Sequence, residues 1–175
     1  MVFAGSDGRL TAQRITERDM ASRHHAPTAN GTYILLAVLG SPATIEIGKI
    51  GSLSLAAGIY AYVGSAFGPG GLATRLGRYA SGARRKHWHI DYLLDHGEVV
   101  GALVRTDKRR RECAWANWTA NRTLRKVPNF GSSDCRCTSH LFFVGNDEKA
   151  EEMVRAAGCE LKAKYLDRQN LTGGR

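Results

Sequence analysis

The chain has 175 residues, enough for one domain with a sizeable core and too few for two of ordinary size. Apolar residues make up 43% and charged residues 23% of it, and no apolar run approaches the ~18 residues of a membrane-crossing helix, so no membrane partner is expected. The formal charge of +9 is unevenly placed: residues 31–145 hold 15 basic against 7 acidic side chains, while the flanking segments are close to neutral. A basic folded region between neutral ends reads as a surface for a polyanion, because neutralised phosphates release counterions. The plain alternative is a charge that only keeps the domain soluble.

In chain order, residues 1–29 lack sustained hydrophobic periodicity and read as a mobile leader. They show no basic cap followed by an apolar stretch of about 7–15 residues, so a cytoplasmic location is expected, and Cys113, Cys135, Cys137 and Cys159 fit it as reduced thiols. TYILLAVL (32–39) is β-branched and apolar, a strand buried on both faces. The turn SPAT and the weakly alternating TIEIGKIGSLSL form a hairpin arm leading into a strand at 58–63. GSAFGPGG (64–71) breaks that strand, and Leu72, Leu76 and Tyr79 then recur at helical spacing. A short helix over 88–96, a strand over 98–106 and a helix over 109–122 follow. After these come a strand over 139–144 and a helix over 147–158, with acids in its first turn and Gly158 as its stop. The expected fold is α+β: a small, mainly antiparallel central sheet flanked by helices. Its main domain spans 30–145, with 146–175 as a C-terminal helix and tail packed on it.

The run AGIYAYVGSA sets Gly58-Ile59-Tyr60 almost directly before Tyr62-Val63-Gly64. Strand side chains alternate, so Tyr60 and Tyr62 share a face; antiparallel pairing with the first strand would bring Tyr33 to the same surface as Tyr62. Gly31-Thr32-Tyr33, Tyr62-Val63-Gly64, Arg75 and Tyr79 four apart on a helix, and Glu112 on a later helix resemble the GIY-YIG nuclease superfamily. The strings KHWHIDYLL, ECAWANW and GSSDCRCTSHLFF resemble its Uri-type endonuclease subgroup. The resemblance covers roughly residues 30–145. It implies that the literal Gly58-Ile59-Tyr60 is a decoy and that Gly31-Thr32-Tyr33 takes the first motif's role. One departure is the separation of Tyr33 from Tyr62, longer than the superfamily's short connection, which the hairpin arm would absorb.

Phosphodiester hydrolysis needs activated water, charge stabilisation at the phosphoryl oxygens and help for the leaving oxygen. Glu112 suits a single Mg²⁺ or Mn²⁺ that keeps most of its waters, and Arg75 offers a donor fork for a phosphate. The resemblance implies that Tyr33 or Tyr62 takes a proton from the attacking water and that Tyr79 positions water or phosphate. A phenol with an ordinary pKa near ~10 is a poor base at neutral pH, so Arg75 and the cation are expected to lower it. The resemblance also implies a further polar site residue, for which Ser133, Asp134 and His140 are candidates.

The runs Arg84-Arg85-Lys86 and Lys108-Arg109-Arg110-Arg111 are candidates for tracking a nucleic-acid backbone, with Trp88 or Trp115 for base stacking; solvated charge is the plain alternative. His87 and His89 read as structural or substrate-side. Cys135-Arg136-Cys137 with His140 is C-x-C-x₂-H, and with Cys113 it could make a four-ligand zinc site, but the spacing is not one of the strong zinc patterns and a buried thiol cluster beside the site is the favoured reading. The expected activity is that of a metal-dependent endonuclease on DNA, with RNA left open. The rivals are a nucleic-acid-binding module without turnover and a zinc-stabilised interaction domain.

Overall fold

The computed structural model describes residues 25–82 and 85–171. Six antiparallel strands form the main sheet in the order β6-β7-β4-β1-β5-β8: β1 (Gly31–Leu39), β4 (Gly58–Ala66), β5 (Glu98–Thr106), β6 (Arg125–Lys126), β7 (Leu141–Gly145) and β8 (Lys164–Asp167). A separate two-stranded sheet pairs β2 (Ala43–Ile47) with β3 (Gly51–Leu55). The helices are α1 (Gly71–Ala80), α2 (His89–Leu94), α3 (Glu112–Ala120), α4 (Asp147–Glu160) and α5 (Arg168–Leu171). This is the expected α+β class with an antiparallel centre.

Strand alternation divides the core in two. Tyr33, Leu35, Ala37, Tyr60 and Tyr62 face one side, under α1, α2, α5 and the β2–β3 arm. Ile34, Leu36, Ile59, Ala61 and Val63 face the other, under α3 and α4. TYILLAVL is apolar throughout because both faces of β1 are covered. The arm packs Ile45, Ile47 and Leu55 onto the first layer, so the long insertion folds away and leaves β1 and β4 free to pair. Their register sets Tyr33 opposite Gly64 and Leu35 opposite Tyr62, which puts the two tyrosines on one face, one diagonal step apart.

Three boundaries differ from expectation. Residues 1–24 of the expected leader lie outside the described residues, but the segment just before β1 is docked: the carbonyls of Pro27 and Ala29 accept the N–H groups of Ala73 and Leu72, capping the otherwise unpaired first turn of α1. A Cβ on Gly71 would strike the backbone of Thr28 and Ala29 there, and its φ is +54°, so this position needs glycine. The third helix begins at Glu112, not 109, because Asp107 accepts the Arg109 N–H and Thr32 Oγ1 accepts the Arg111 N–H, holding 107–111 as a turn. Gly158 does not stop α4, which runs to Glu160; Lys162 takes the left-handed conformation instead, and the Ala163 N–H reaches back to the Ala157 carbonyl.

Candidate active site and the adjoining cysteine cluster

The site forms where β1 starts and β4 ends. Tyr33 and Tyr62 are 1% and 7% exposed, and a Cβ on Gly64 would run into the Tyr33 ring, so the glycine of Tyr62-Val63-Gly64 makes room for the partner strand's phenol. The Tyr33 and Tyr79 hydroxyls lie 3.2 Å apart. Arg75, one helical turn before Tyr79 on α1, lies beside both phenols, and its guanidinium sits 4.6 Å from the centre of the Trp88 ring. A planar cation stacked on an indole beside two phenols is held in one orientation.

Glu112 arrives from the opposite layer. It is the first residue of α3, and Ser65, on the Val63 side of β4, donates to its Oε2 at 2.7 Å. His140 Nδ1 lies 3.0 Å from Oε1, and Arg110 reaches Ser65 Oγ at 3.3 Å. Burial raises the Glu112 pKa, but hydrogen bonds from His140 and Ser65 with the nearby positive charge outweigh it, so the carboxyl is held below its ordinary value. The carboxylate is ionised at neutral pH.

A cavity of about 450 Å³ joins these groups; Tyr33, Tyr62, Arg75, Trp88, His89 and Glu112 all line it. Tyr79 is not among the lining residues and sits one layer back, behind Tyr33 and Arg75. Tyr60 also lies apart: its hydroxyl donates to the Ala56 carbonyl and its ring packs on Phe143. The expectation of lowered phenol pKa values fails for the free protein. Burial comes first, and neighbouring phenols add to it for Tyr33 and Tyr62, so all three site tyrosines are pushed up despite Arg75. They are neutral O–H groups at pH 7. His89 is pushed down by burial, and its Nδ1 accepts the Gly131 N–H, which assigns the remaining ring proton to Nε2.

On the far side of Glu112, a second cavity of about 410 Å³ is bordered by Arg109, Arg110, Cys113, Cys135 and His140. Cys113, Cys135, Cys137 and His140 place their ligand atoms within 4.8 Å of one another, a cluster that could hold a metal ion. The thiols are unpaired by disulfides and are exposed or half-buried, not buried as the thiol-cluster alternative expected. Burial and the two neighbouring thiols push Cys137 up to about 12, whereas the Cys137 backbone N–H helps bring Cys135 down against its burial.

The basic runs divide. Arg110 and His87 line the first cavity with His89, and Arg109, Arg110 and Arg111 line the second. Lys86 is paired with Asp95 at 2.7 Å and lies over Tyr92; Arg111 is paired with Asp107; the Arg85 carbonyl accepts from Arg78. Arg84 lies outside the described residues. Trp88, 36% exposed, stands at the cavity, but Trp115 is 2% exposed in the core beneath α3, so it is no stacking platform. Of the extra polar candidates, His140 touches Glu112, whereas Ser133 donates to Asp134 on the cavity wall. Sequence reasoning missed Ser65. Its position directly after Tyr62-Val63-Gly64, on the face opposite the phenols, was the available signal.

The fold and cavity define a basic α+β domain with an ionised carboxylate, an oriented arginine and two phenols around one opening. The chain belongs to the family described as domain of unknown function DUF123, whose sequence model matches residues 32–163. Nothing among curated proteins or solved structures matches it.

Proposed function

We propose that this protein is a metal-dependent endonuclease that hydrolyses DNA phosphodiester bonds, of the GIY-YIG type that its Tyr33, Tyr62, Arg75, Tyr79 and Glu112 resemble. The observation that carries the reading is the shared cavity: residues from β1, β4, α1 and α3, far apart in sequence, meet around a space of about 450 Å³. The donor set fits a hard cation, since Glu112 supplies an ionised oxygen on the wall and leaves room for the waters that Mg²⁺ or Mn²⁺ retains. When bound, such an ion supplies Lewis-acid charge at the phosphoryl oxygens and acidifies water.

The chain's own groups do the rest. Arg75 presents its guanidinium to a phosphate from a fixed plane, with Trp88 behind it. Tyr33 and Tyr62 keep their protons in the free protein and act as donors to phosphoryl or leaving oxygens, in place of the base role the resemblance implied. The Nε2–H of His89 adds a donor, and Arg110 with the other basic residues of the rim attracts the backbone. Ser65 and His140 hold the carboxylate.

The test uses labelled single- and double-stranded DNA with Mg²⁺, Mn²⁺ or chelator, beside Glu112→Ala and Arg75→Ala. The unaltered protein should cut only with metal, and both variants should lose cutting. Metal-dependent cutting that survives both substitutions rejects the site. Binding without cutting on every substrate, RNA included, supports the non-catalytic binding module instead.

A further inference from the structure

The cysteine cluster has no part in the proposed hydrolysis, yet it touches the same carboxylate. Cys113 follows Glu112 directly at the start of α3, Cys135 and Cys137 lie in the segment between β6 and β7, and His140 is the last residue before β7. The His140 side chain is 3% exposed, and its two ring nitrogens face different partners: Nδ1 is 3.0 Å from Glu112 Oε1, and Nε2 is 3.4 Å from Cys135 Sγ. In a tetrahedral zinc site with Zn–S of about 2.3 Å and Zn–N of about 2.0 Å, sulfur and nitrogen ligands stand about 3.5 Å apart and two sulfurs about 3.8 Å apart. The observed 3.4 Å is close to the first value, and the 4.8 Å limit on every pair leaves only small side-chain adjustments to close the set. Three thiols and one imidazole suit Zn²⁺ and not Mg²⁺. A carboxylate on the far nitrogen of the ligating histidine is the arrangement that fixes such a ring's tautomer and orientation.

The loop also needs such a fastening. Residues 127–140 contain no helix or strand, pass through left-handed backbone at Asn129 and Gly131, and supply Gly131, Ser133 and Asp134 to the wall of the first cavity. Backbone bonds from Asn129 to Thr138 and from His140 to Phe130 close its base at 2.9 and 2.8 Å. Its outer part, which carries both cysteines, is tied to the rest of the fold by the Gly131 N–H to His89 Nδ1 bond at 2.9 Å and otherwise by local bonds: Ser133 to Asp134, the Cys135 N–H to the Ser132 carbonyl at 3.4 Å and the Cys137 N–H to Cys135 Sγ at 3.5 Å. Ordering so long an irregular segment costs conformational entropy that few contacts there offset.

We propose that Cys113, Cys135, Cys137 and His140 Nε2 bind one Zn²⁺ ion, and that this ion, through the His140 Nδ1–H bond to Glu112 Oε1, holds the carboxylate and the loop wall of the candidate active site in place. The zinc assignment stands on the cluster alone; its effect on the site rests on the proposed nuclease reading. Glu112 then serves both flanks, orienting a zinc ligand with one oxygen while its charge faces the cavity.

The test is metal analysis of the full chain purified under reducing conditions, with Co²⁺ substitution as a second readout. One zinc per chain is expected, and Co²⁺ should give thiolate charge-transfer bands and tetrahedral d–d absorption. Cys135→Ser and Cys137→Ser should lose the ion, while Cys159→Ser, outside the cluster, should keep it. Cys137→His should restore binding. Glu112→Gln should retain zinc but with affinity lowered about 10–100-fold, read by chelator competition. Should the cysteine variants fail to fold, the Co²⁺ spectrum of the unaltered protein decides. Absence of both zinc and the cobalt bands, full zinc in both serine variants, or a disulfide among the cluster cysteines under reducing conditions overturns the site. Unchanged zinc affinity in Glu112→Gln overturns the link to the carboxylate. Zinc bound with no cutting of any DNA leaves the zinc site standing and rejects the nuclease reading.

Discussion

The two flanks of Glu112 are built in different ways. On the tyrosine flank each group comes from regular structure: Tyr33 and Tyr62 from paired strands, Arg75 and Tyr79 from one face of α1. On the cysteine flank only Cys113 stands on a helix, and the others hang from an irregular loop. Strand register and helix spacing position the first flank through the folding of the core itself, whereas the second depends on a local crosslink. Substitutions on the tyrosine flank should therefore leave the zinc in place, and Glu112 is the residue through which the two flanks are coupled.

Glu112→Gln is the largest expected effect and the one that crosses the divide. It removes the ionised oxygen from the first cavity and changes the partner of His140 on the other side. Cleavage should fall about 10²–10³-fold, as when a preorganised electrostatic group is removed. Steady-state cleavage assays with a circular-dichroism check on folding measure it. Loss of cleavage with zinc affinity unaltered would mean that the two flanks are independent after all.

Gly64→Ala should strike the tyrosine flank alone. The new Cβ meets the Tyr33 ring, which the β1–β4 register holds opposite Gly64, and β4 is pinned by β7 on its other edge as far as Tyr62. Overpacking of this kind costs about 1–3 kcal/mol, and a displacement near 1 Å of a positioned group lowers cleavage about 10²-fold. Chemical denaturation and cleavage rates report the two effects, with zinc content expected to stay at one per chain. A Gly64→Ala protein of unchanged stability and activity would show that the Tyr33 ring moves aside without consequence.

Asp91→Asn acts on the rim of the same flank and mainly on stability. The Asp91 side chain is buried, pairs with Arg78 at 2.6 Å and accepts the His87 and Trp88 N–H groups at 2.8 Å, so it ties α1 to the segment that carries His87, Trp88 and His89. Burial raises its pKa, but the Arg78 hydrogen bonds and the two backbone donors prevail and hold it below the ordinary carboxylate range. A lowered folded-state pKa gives stability that is present above the unfolded value of about 3.9 and is lost as pH falls through the folded value. The substitution should cost about 2–4 kcal/mol at pH 7 by denaturant unfolding. The gap to the unaltered protein should stay constant down to about pH 5 and narrow below about pH 4. A constant gap through that acid range would remove the ion pair from the explanation. Cleavage should change less than for Gly64→Ala.

Much of the tyrosine flank was legible in the sequence because its determinants are local. Period-two alternation placed Tyr33 and Tyr62 on one surface, and a four-residue step joined Arg75 to Tyr79. The neighbours that decide what each group does were not legible. Ser65 contacts a residue 47 positions away, and the basic runs themselves gave no sign that Asp95 and Asp107 pair with Lys86 and Arg111. Trp115 read as accessible because its burial depends on how α3 lies over the second face of the sheet. The short β6 and β8 carry only two and four residues at the sheet edges, too few for a pattern to show. The phenol pKa values reversed for the same reason, since burial is a property of the assembled layers and not of any motif.

Tyr79→Phe is the smallest expected effect and sharpens the comparison within the tyrosine flank. Its hydroxyl lies 3.2 Å from that of Tyr33, close to Arg75, and is absent from the cavity wall, so it acts through them. Losing one such hydrogen bond costs about 0.5–1.5 kcal/mol of stability, and cleavage should fall only a few-fold, far less than in Tyr33→Phe. The double variant separates the roles. If Tyr79 positions Tyr33, removing both hydroxyls should lower cleavage little further than Tyr33→Phe alone, with a coupling energy of about 0.5 kcal/mol or more. If instead the two losses add independently, Tyr79 reaches the reacting phosphate by its own path, and the cavity in the bound state must extend one layer deeper than it does here.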